Sequence, residues 1–390
     1  MKKIVIIVLL TLSFSGTLFC FWNGYPLNYY EAEVNDARSE ALGRTSILSS
    51  SKANFTFNNP AMLGILTEKN IQVGLRLITG KTIIKKKDDN EESTYNYENP
   101  IHLKLNSFSV SVPYKSNMPN IGFGVGYRTY YDRGMNLKYE LDSNTTIMKR
   151  HGGLSTLVIG VGVNSDNKYN IGFSYSLPLL SNTSRERIVD GELRSEFEGT
   201  MKGSFFTLGG SYRLNKRVLI GARFRTKFDL EVKEKELSDD EIDIDEITIP
   251  TEIGLAIEVS PKDNLVIYIE YLSRKFSHLD VNDFGIGNGF SIRSGFEFDK
   301  NILYRGGFFI QSVPIYNPIS TSEWSSNPET EIGFTTGLGL ELIPHLSLDL
   351  YGSYSFLNYE NSIEIDYRYI ITSDYYFSQI KLGCSLGYAF

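Results

Sequence analysis

The chain contains very little cysteine and lacks a long hydrophobic run. Cys20 and Cys384 are its two cysteines among 390 residues, so a disulfide framework is excluded. Downstream of residue 20 there is no run of about 18 apolar residues, the length that a membrane-spanning helix needs, and a helical membrane protein is therefore excluded. The formal net charge of -7 argues against nucleic acid as a partner, because nucleic-acid binding requires a basic surface.

The scarcity of histidine argues against an enzyme or a metalloprotein. The four histidines show no metal-ligand spacing, and no serine and histidine are placed as in the barrel lipases. The acidic segment 232–245 lacks the spacing of an EF-hand, so a solvated loop is favoured over a Ca²⁺ site. We therefore expect no catalytic residue, no metal and no cofactor.

Residues 1–20 are typical of a secretory signal peptide. Two lysines precede about a dozen mostly apolar residues, and small residues follow, which is the order of a cleaved signal and too short for a spanning helix. Cleavage could follow Ser15, Thr17 or Cys20. Lipidation of Cys20 is disfavoured, because Phe19 stands where a small residue is expected.

The last residues of the chain alternate between an apolar face and a small or polar face. The apolar face holds Ile380, Leu382, Cys384, Leu386, Tyr388 and Phe390, and the other face holds Gln379, Lys381, Gly383, Ser385, Gly387 and Ala389. Successive side chains of a strand point to opposite faces, so the pattern predicts a strand between the lipid and the lumen of a transmembrane barrel. We expect its small inner residues to touch residues 21–69.

The same period of two predicts about fourteen strands after residue 70. They are 70–82, 101–114, 120–132, 149–163, 168–178, 198–213, 216–231, 246–259, 264–273, 286–298, 301–312, 328–341, 346–357 and 376–390. Short turns alternate with long polar segments, and outer-membrane barrels gather their short turns at the periplasmic rim. The sequence therefore predicts an all-β membrane protein, a fourteen-stranded antiparallel transmembrane β-barrel spanning 70–390 in the bacterial outer membrane. The long segments 83–100, 133–148, 179–197, 232–245, 274–285, 313–327 and 358–375 are predicted outer loops.

Charged side chains within the strands are expected to face the lumen, since each would cost about 2 to 4 kcal/mol on the lipid face. The expected inward set is Arg76, Arg128, Arg223, Arg225, Lys227, Glu270, Arg293, Glu297, Arg305, Glu341, Asp349 and Lys381. One interpretation is that these charges pair and brace the interior. The other is that lumenal basic residues form a constriction that attracts an anionic head group, with Arg76, Arg223, Arg225, Lys227, Arg293 and Arg305 as the candidates.

Two further features concern the faces of the strands. The apolar residues Leu157, Ile159, Leu219 and Phe309 fall on faces that should be inward, where they could line a greasy path. In strand 101–114 the apolar residues change parity partway along, which usually indicates a β-bulge or a kink.

Residues 21–69 do not have the pattern of strands. Asp36 can cap a short helical turn that Gly43 ends, and a run of small residues, 46–53, follows. A fourteen-stranded barrel is too wide for side chains alone to fill. We therefore expect residues 21–69 to form a plug inside the barrel.

Specific motifs in this segment resemble a known family. Ala37-Arg38, Ala41-Leu42-Gly43, the small-residue run and Asn59-Pro60-Ala61 followed by Leu63 resemble the N-terminal hatch of the long-chain fatty acid transporter (FadL-like) superfamily of outer-membrane proteins. That superfamily includes fatty acid and aromatic hydrocarbon channels and PorV/PorQ-type proteins of type IX secretion. The resemblance implies fourteen strands and a hatch, with Gly43, Asn59, Pro60 and Ala61 as gating residues. Without the family, Asn59-Pro60 is equally well a simple turn into the first strand.

The resemblance also implies a function and partners. The preferred hypothesis is passive uptake of hydrophobic or amphipathic, fatty-acid-like small molecules through a hatch-plugged barrel, with outer-membrane lipid around it. The alternative is a PorV-like scaffold that binds a secreted or outer-membrane protein, and a general diffusion porin ranks third. A terminal strand that ends in Phe390 resembles the signal by which barrel assembly machinery recognises its clients.

Overall fold

The computed structural model of the protein describes residues 36–88, 91–114, 120–132, 135–141, 144–166, 168–179, 181–236, 242–274, 289–313, 329–365 and 369–390. The predicted signal peptide and residues 21–35 of the predicted hatch lie outside these ranges, as do nearly all of the predicted loops 274–285 and 313–327. Among the described residues, no helix is both long and apolar enough to cross a membrane.

Strands account for most of the described chain. In chain order they are β1 (Asn70–Asp88), β2 (Glu91–Tyr114), β3 (Asn120–Asp132), β4 (Met135–Leu141), β5 (Asn144–Ser165), β6 (Tyr169–Pro178), β7 (Asn182–Val189), β8 (Glu192–Lys202), β9 (Phe205–Asn215), β10 (Val218–Arg225), β11 (Phe228–Glu236), β12 (Ile242–Ile249), β13 (Glu252–Lys262), β14 (Leu265–Arg274), β15 (Gly289–Asp299), β16 (Leu303–Val313), β17 (Glu329–Ile343), β18 (Leu346–Ile365) and β19 (Tyr369–Ala389).

Fourteen of these strands form a closed antiparallel barrel, which confirms the predicted fold class. The ladder runs β1, β2, β3, β5, β6, β9, β10, β13, β14, β15, β16, β17, β18 and β19. The last strand then pairs with the first, from Asn70 opposite Ala389 to Lys87 opposite Thr372. Reciprocal backbone hydrogen bonds between Lys69 and Phe390 extend this seam by one residue. The barrel therefore has no free edge, which removes the site where a further strand could add.

A second sheet continues the wall at the end of the barrel opposite the chain terminus. It consists of β4, residues 144–152 of β5, β7, β8, β11 and β12, and we call it the outer sheet. The prediction that 133–148, 179–197 and 232–245 are loops is wrong, because they hold these strands. The predicted loops 83–100 and 358–375 are likewise mostly strand, because β1 and β2, and β18 and β19, extend into them as paired strands. These segments are rich in charged residues, a composition typical of solvated loops, although apolar and polar residues do alternate in β4 and in the first half of β11.

The two sheets separate where neighbouring strands break. Gly152 and Gly153 in β5 have φ angles of +89° and +146°, a conformation that glycine adopts most readily. Three predicted strands, 198–213, 216–231 and 246–259, are each split in two, and the breaks fall at residues 203–204, 226–227 and 250–251.

The barrel wall has an apolar outer face and a polar inner face. On β15, for example, Ile292 is 41% exposed whereas Arg293 is buried. The C-terminal strand follows its prediction, with Leu386, Tyr388 and Phe390 exposed and Ser385 buried. An apolar exterior around a polar interior suits a wall that faces lipid outside and a lumen inside.

Three apolar residues face the opposite way from the prediction. Ile159 is 53% exposed and Leu157 is half-buried, whereas Val158 between them is fully buried. With Lys227 expected inward, the alternation places its neighbour Phe228 on the lipid face, but Phe228 is buried because the break before β11 reverses the parity of the strand. Leu219 and Phe309 are buried inside, as expected.

A β-bulge explains the change of parity in strand 101–114. Gly74 of β1 pairs with Ser107 and Leu75 pairs with Leu105, so Asn106 is the extra residue of β2 between these two pairs. Asn106 and Ser107 are both buried, while the flanking Leu105 and Phe108 are exposed. The bulge adds one residue and so keeps both apolar sets on the outer face.

Residues 36–69, which we call the inner segment, lie inside the barrel and contact strands on opposite sides of the wall. They form α1 (Ala37–Ala41), a 3-10 turn η1 (Lys52–Asn54), α2 (Phe55–Asn58) and a second 3-10 turn η2 (Pro60–Ile65). Asp36 caps α1 by accepting from the backbone N–H of Ser39, as the sequence predicts. A buried core of residues from this segment and the wall includes Leu42, Ile47, Leu48, Leu63, Leu219 and Leu272.

Candidate functional site

The inner segment docks on glycines of the barrel wall. A Cβ built on Gly162 would overlap the carbonyl oxygen of Pro60, and one on Gly209 would overlap the side chain of Asn59. The same holds for other glycines on this part of the wall, namely Gly122, Gly124, Gly126 and Gly172. Strands β3, β5, β6 and β9 therefore approach the inner segment more closely than any residue with a side chain would allow.

Asn59 organises the segment at this contact. Its Oδ1 accepts from the N–H of Ala61 at 3.2 Å, which caps η2, and its Nδ2 donates to the carbonyl of Ile47 at 3.1 Å. A longer bond of 3.4 Å reaches the carbonyl of Gly210 in β9. Pro60 occupies the first position of η2, where a missing N–H costs nothing. The Asn59-Pro60-Ala61 motif thus joins two parts of the inner segment to the wall.

Gly43 makes the corresponding contact on the other side of the barrel. Its φ is +70°, and a Cβ at this position would overlap the backbone of Ser294 and Phe308. Its N–H donates to Oγ1 of Thr335 at 2.8 Å, and that hydroxyl donates to the carbonyl of Ala41 at 2.9 Å. Conformation and space therefore both require glycine here.

Two buried charges on the wall hold the backbone of the inner segment. The carboxylate of Glu270 accepts from the N–H groups of Ser46 and Ile47, each at 2.7 Å. Arg293 donates to the carbonyl of Arg44 at 2.9 Å and pairs with Glu270 at 3.4 Å. Sequence reasoning placed Glu270 in the lumen but did not single it out, because a bond to a backbone amide leaves no pattern in the sequence.

A second charged cluster centres on Glu252. Its carboxylate accepts from Arg223 at 2.5 Å and from Arg274 at 3.0 Å, and Arg225 approaches to 3.7 Å. Arg223 also donates to the hydroxyl of Ser46 at 3.1 Å. These side chains are buried, and their pairing favours the bracing interpretation of the lumenal charges.

Aromatic rings surround two of the arginines. Phe205 and Phe228 stack with centroids 4.7 Å apart, and Tyr130 lies 4.8 Å from Phe205. The guanidinium of Arg128 lies 5.1 Å from the Tyr130 ring, and that of Arg225 lies 5.5 Å from the Phe205 ring. Cations over ring faces are attracted by the ring quadrupole. The three rings and the two guanidiniums therefore form one cluster inside the barrel, next to the outer sheet.

Lys227, one of the six basic candidates, does not lie in the interior of the barrel. It is exposed in the break between β10 and β11, and Phe228 takes the interior position. The other candidates, Arg76, Arg223, Arg225, Arg293 and Arg305, are buried. Within the expected inward set, Glu341 is also exposed. The structure therefore gathers the arginines inside the barrel but leaves Lys227 out.

A group of ion pairs formed by Arg38, Glu297, Arg305 and Asp349 lies near the end of the barrel that carries the short turns. Arg305 pairs with Glu297 and with Asp349, both at 2.6 Å. Arg38 of α1 donates to both oxygens of Glu297, at 3.2 and 3.0 Å, and to the hydroxyl of Tyr268 at 3.1 Å. A cavity of about 450 Å³ opens beside these ion pairs. This end is periplasmic in outer-membrane barrels.

Comparisons with solved structures bear on the fold. A Pseudomonas aeruginosa FadL homologue aligns over 91% of this chain and 98% of its own, with a TM-score of 0.59 and 11% identity. The Ralstonia pickettii toluene transporter TbuX aligns over 93% and 100%, with a TM-score of 0.59 and 14% identity. The P. putida toluene transporter TodX aligns over 92% and 99%, with a TM-score of 0.57 and 14% identity. The fold is that of the FadL-like channels.

Sequence comparisons add nothing to this likeness. No protein-family model matches the chain, and no curated protein matches it either. The structural neighbours cover nearly the whole chain, so the likeness in fold is not confined to one part of it. In the described ranges there is no group of three or more His, Cys, Asp or Glu that could hold a metal ion.

Proposed function

We propose that the protein is an outer-membrane channel for passive uptake of hydrophobic or amphipathic small molecules. The observation that carries this proposal is the mode of docking of the inner segment, which fills the barrel and is held against the wall by hydrogen bonds, ion pairs and packing. Its contacts with Glu270 and Arg223 are hydrogen bonds, which can break and re-form. A porin with an open water-filled lumen would not need such a filling. The names of the neighbours, a FadL homologue and toluene transporters, point to the same class of substrate.

In this proposal residues 21–69 are the hatch, and Gly43, Asn59, Pro60 and Ala61 hold it in the closed state. Asn59 supports a role beyond a simple turn, because it ties η2 to Ile47 and to the wall at once. The buried Glu252 and Glu270 offset the positive charge of the arginines, so a purely anion-attracting constriction is less well supported. Fatty-acid-like amphiphiles and neutral hydrocarbons both fit the proposal.

Uptake by cells tests this proposal. The full chain would be expressed in a Gram-negative host strain that lacks its own fatty acid channel, and uptake of radiolabelled oleate and toluene would be compared with an empty-vector strain. Faster uptake of either probe supports the channel. Uptake equal to that of the empty-vector strain for both probes, with folded protein present in the outer membrane, contradicts it.

A role as a scaffold or secretion partner is the second candidate. It is favoured by the outer sheet, in which β12 pairs with β11 alone among the described residues and so offers a strand edge to another protein. Purification from native membranes with one stoichiometric partner would support this role. Recognition of β19 by the barrel assembly machinery remains a prediction.

A further inference from the structure

The inner segment consists of two buried halves joined by a short exposed connection. Residues 36–50, which we call the first half, and residues 53–66, which we call the second half, are buried almost throughout. Between them, Ser51 is half-buried and Lys52 is exposed. The chain therefore crosses from one half to the other at the surface of the segment, and the two halves meet in the interior of the barrel.

The first half is interlocked with the strands from β10 to β18. Glu270 of β14 accepts from its backbone N–H groups, and Arg293 of β15 donates to one of its carbonyls. Thr335 of β17 bonds to its backbone as well. A Cβ on any of five wall glycines would overlap this half, namely Gly221, Gly254, Gly295, Gly307 and Gly337. Displacing the first half from the wall would therefore break bonds to buried charges, which is costly.

The second half is interlocked with the strands from β2 to β9. Wall glycines of β3, β5, β6 and β9 contact it without a gap. Ser109 of β2 donates to Oδ1 of Asn54 at 2.6 Å, and the chain continues from this half into β1. Gly162 beside the second half lies near the end of β5, and Gly307 beside the first half lies near the start of β16. Both halves are thus close to the short turns, side by side rather than one above the other.

The described hydrogen bonds between the two halves are made by neutral side chains and by one wall arginine. Nδ2 of Asn58 donates to Oγ of Ser50 at 2.7 Å, and Nδ2 of Asn59 donates to the carbonyl of Ile47 at 3.1 Å. Arg223 of β10 donates to both halves. Among the described residues, no backbone–backbone hydrogen bond joins the halves. We call this contact between the two halves the seam.

The rest of the seam is apolar. One buried hydrophobic cluster contains Leu42, Ile47 and Leu48 of the first half and Phe55, Met62, Leu63 and Leu66 of the second half. An apolar ligand that enters the seam replaces these contacts with similar ones, so little apolar surface is exposed to water. Along the wall, the same ligand would have to break hydrogen bonds to buried charges without replacing them. The seam is therefore the contact of the inner segment that an apolar molecule can open most easily.

We propose that the channel opens when the two halves part along the seam, so that the ligand passes through the inner segment rather than around it. The inference rests on the proposed uptake function and adds the route of passage. The ligand class is an apolar molecule, or an amphiphile led by its apolar part, because apolar groups replace the contacts of the seam. Ser50 and Asn58 hold the seam closed, and both halves stay docked on the wall while it opens.

A reversible disulfide across the seam tests the proposal. Ser50→Cys and Asn58→Cys are introduced together, since the two native side chains are in hydrogen-bond contact, and the pair is oxidised after the barrel has assembled. Cys384, the free cysteine of β19, is replaced by Ala in every variant. Titration of free thiols measures how much disulfide has formed, and dithiothreitol reverses it.

Two matched pairs of cysteines serve as controls. Thr45→Cys with Ser49→Cys joins two positions within the first half, whose hydroxyl oxygens are 2.9 Å apart. Asn54→Cys with Ser109→Cys fixes the second half to the wall, where Oγ of Ser109 lies 2.6 Å from Oδ1 of Asn54. Neither disulfide crosses the seam, so neither should prevent the halves from parting.

Radiolabelled oleate and toluene are the probes, and uptake is normalised to the folded protein in the outer membrane. We expect the disulfide between positions 50 and 58 to slow uptake about tenfold, because passage depends on the free width of the route, and dithiothreitol to restore it. Both control pairs should transport at the same rate before and after oxidation. An unchanged rate with the seam locked would overturn the proposal, as would an equal loss when the second half is fixed to the wall. Absence of uptake by the unsubstituted chain would instead contradict the proposed function itself.

Two buried asparagines provide a test that needs no disulfide. Asn58→Ala removes a bond to Ser50 across the seam, whereas Asn54→Ala removes a similar bond to Ser109 in the wall. We expect Asn58→Ala to raise uptake about fivefold, the factor that corresponds to one neutral hydrogen bond, because this bond must break as the seam opens. Asn54→Ala should leave uptake unchanged, since its bond is present in both states. Equal uptake by the two variants would also overturn the proposal.

Discussion

The carboxylate of Glu270 in the barrel wall accepts a hydrogen bond from the backbone N–H of Ile47 in the inner segment at 2.7 Å, although the two residues are 223 positions apart. The same oxygen accepts from the N–H of Ser46. A backbone amide keeps its donor in every substitution except that by proline, so the wall carboxylate is the partner that a side-chain substitution can remove. Substitution of Glu270 is therefore the most direct test of what holds the barrel in its closed state.

Replacement of Glu270 by Ala should loosen the inner segment. It leaves two buried amides without an acceptor and Arg293 without its carboxylate partner, at a cost of about 3 to 5 kcal/mol. We expect larger single-channel conductance in planar bilayers and greater sensitivity of cells to a large antibiotic such as vancomycin. Glu192→Ala is the control, because Glu192 is exposed at the start of β8 in the outer sheet, away from the inner segment. Identical conductance for the two variants would show that Glu270 does not hold the inner segment in place.

Neighbouring glycines on β9 offer a second, sharper comparison. A Cβ on Gly209 would overlap Asn59, whereas a Cβ on Gly210 would meet its nearest neighbour at 4.0 Å. Gly209→Ala should therefore destabilise the docked segment by about 1 to 3 kcal/mol through overpacking, and Gly210→Ala should have little effect. Protease susceptibility of the inner segment in purified protein measures the difference. If both variants resist protease equally, the segment is not held by this close approach.

Structural features that depend on one short segment leave a pattern in the sequence of that segment. The alternation of Ile380 to Phe390 identified β19 and its inner face, because a strand that separates lipid from lumen must alternate. The parity change between Leu105 and Phe108 identified the bulge for the same reason. The capped turn after Asp36 was equally local.

Features that depend on distant or polar contacts could not be predicted. The segments that form the outer sheet are rich in charged residues, so their composition indicated loops, although β4 alternates from Met135 to Leu141. The inward position of Phe228 depends on a break at residues 226–227 that shifts the parity of β11. The bond from Glu270 to Ile47 joins segments far apart in the sequence, and only the closed barrel brings them together.

The cluster around Glu252 predicts a stability effect that separates buried from exposed ion pairs. Glu252→Gln would remove the buried carboxylate that accepts from Arg223 and Arg274, at a cost of about 3 to 5 kcal/mol. Glu192→Gln removes a pair with Arg194 that is mostly exposed and should change stability by less than about 1 kcal/mol. Urea unfolding in lipid vesicles, followed by the gel mobility of the folded barrel, gives both values. A small effect at Glu252 would mean that other groups neutralise the arginines.

Two substitutions at Asn59 separate its two roles. Asn59→Asp keeps an oxygen to cap Ala61 but replaces the Nδ2 donor, so a carboxylate oxygen would face the carbonyl of Ile47. Asn59→Ala loses both bonds, including a cap worth about 1 to 2 kcal/mol. If the motif is only a turn into β1, Asp should preserve stability and uptake, because the cap remains. If Asn59 holds the closed state through Ile47, Asp should release the inner segment as much as Ala does, or more, because it adds repulsion between oxygens. Protease susceptibility of the segment and oleate uptake by cells, measured on both variants, decide between these outcomes.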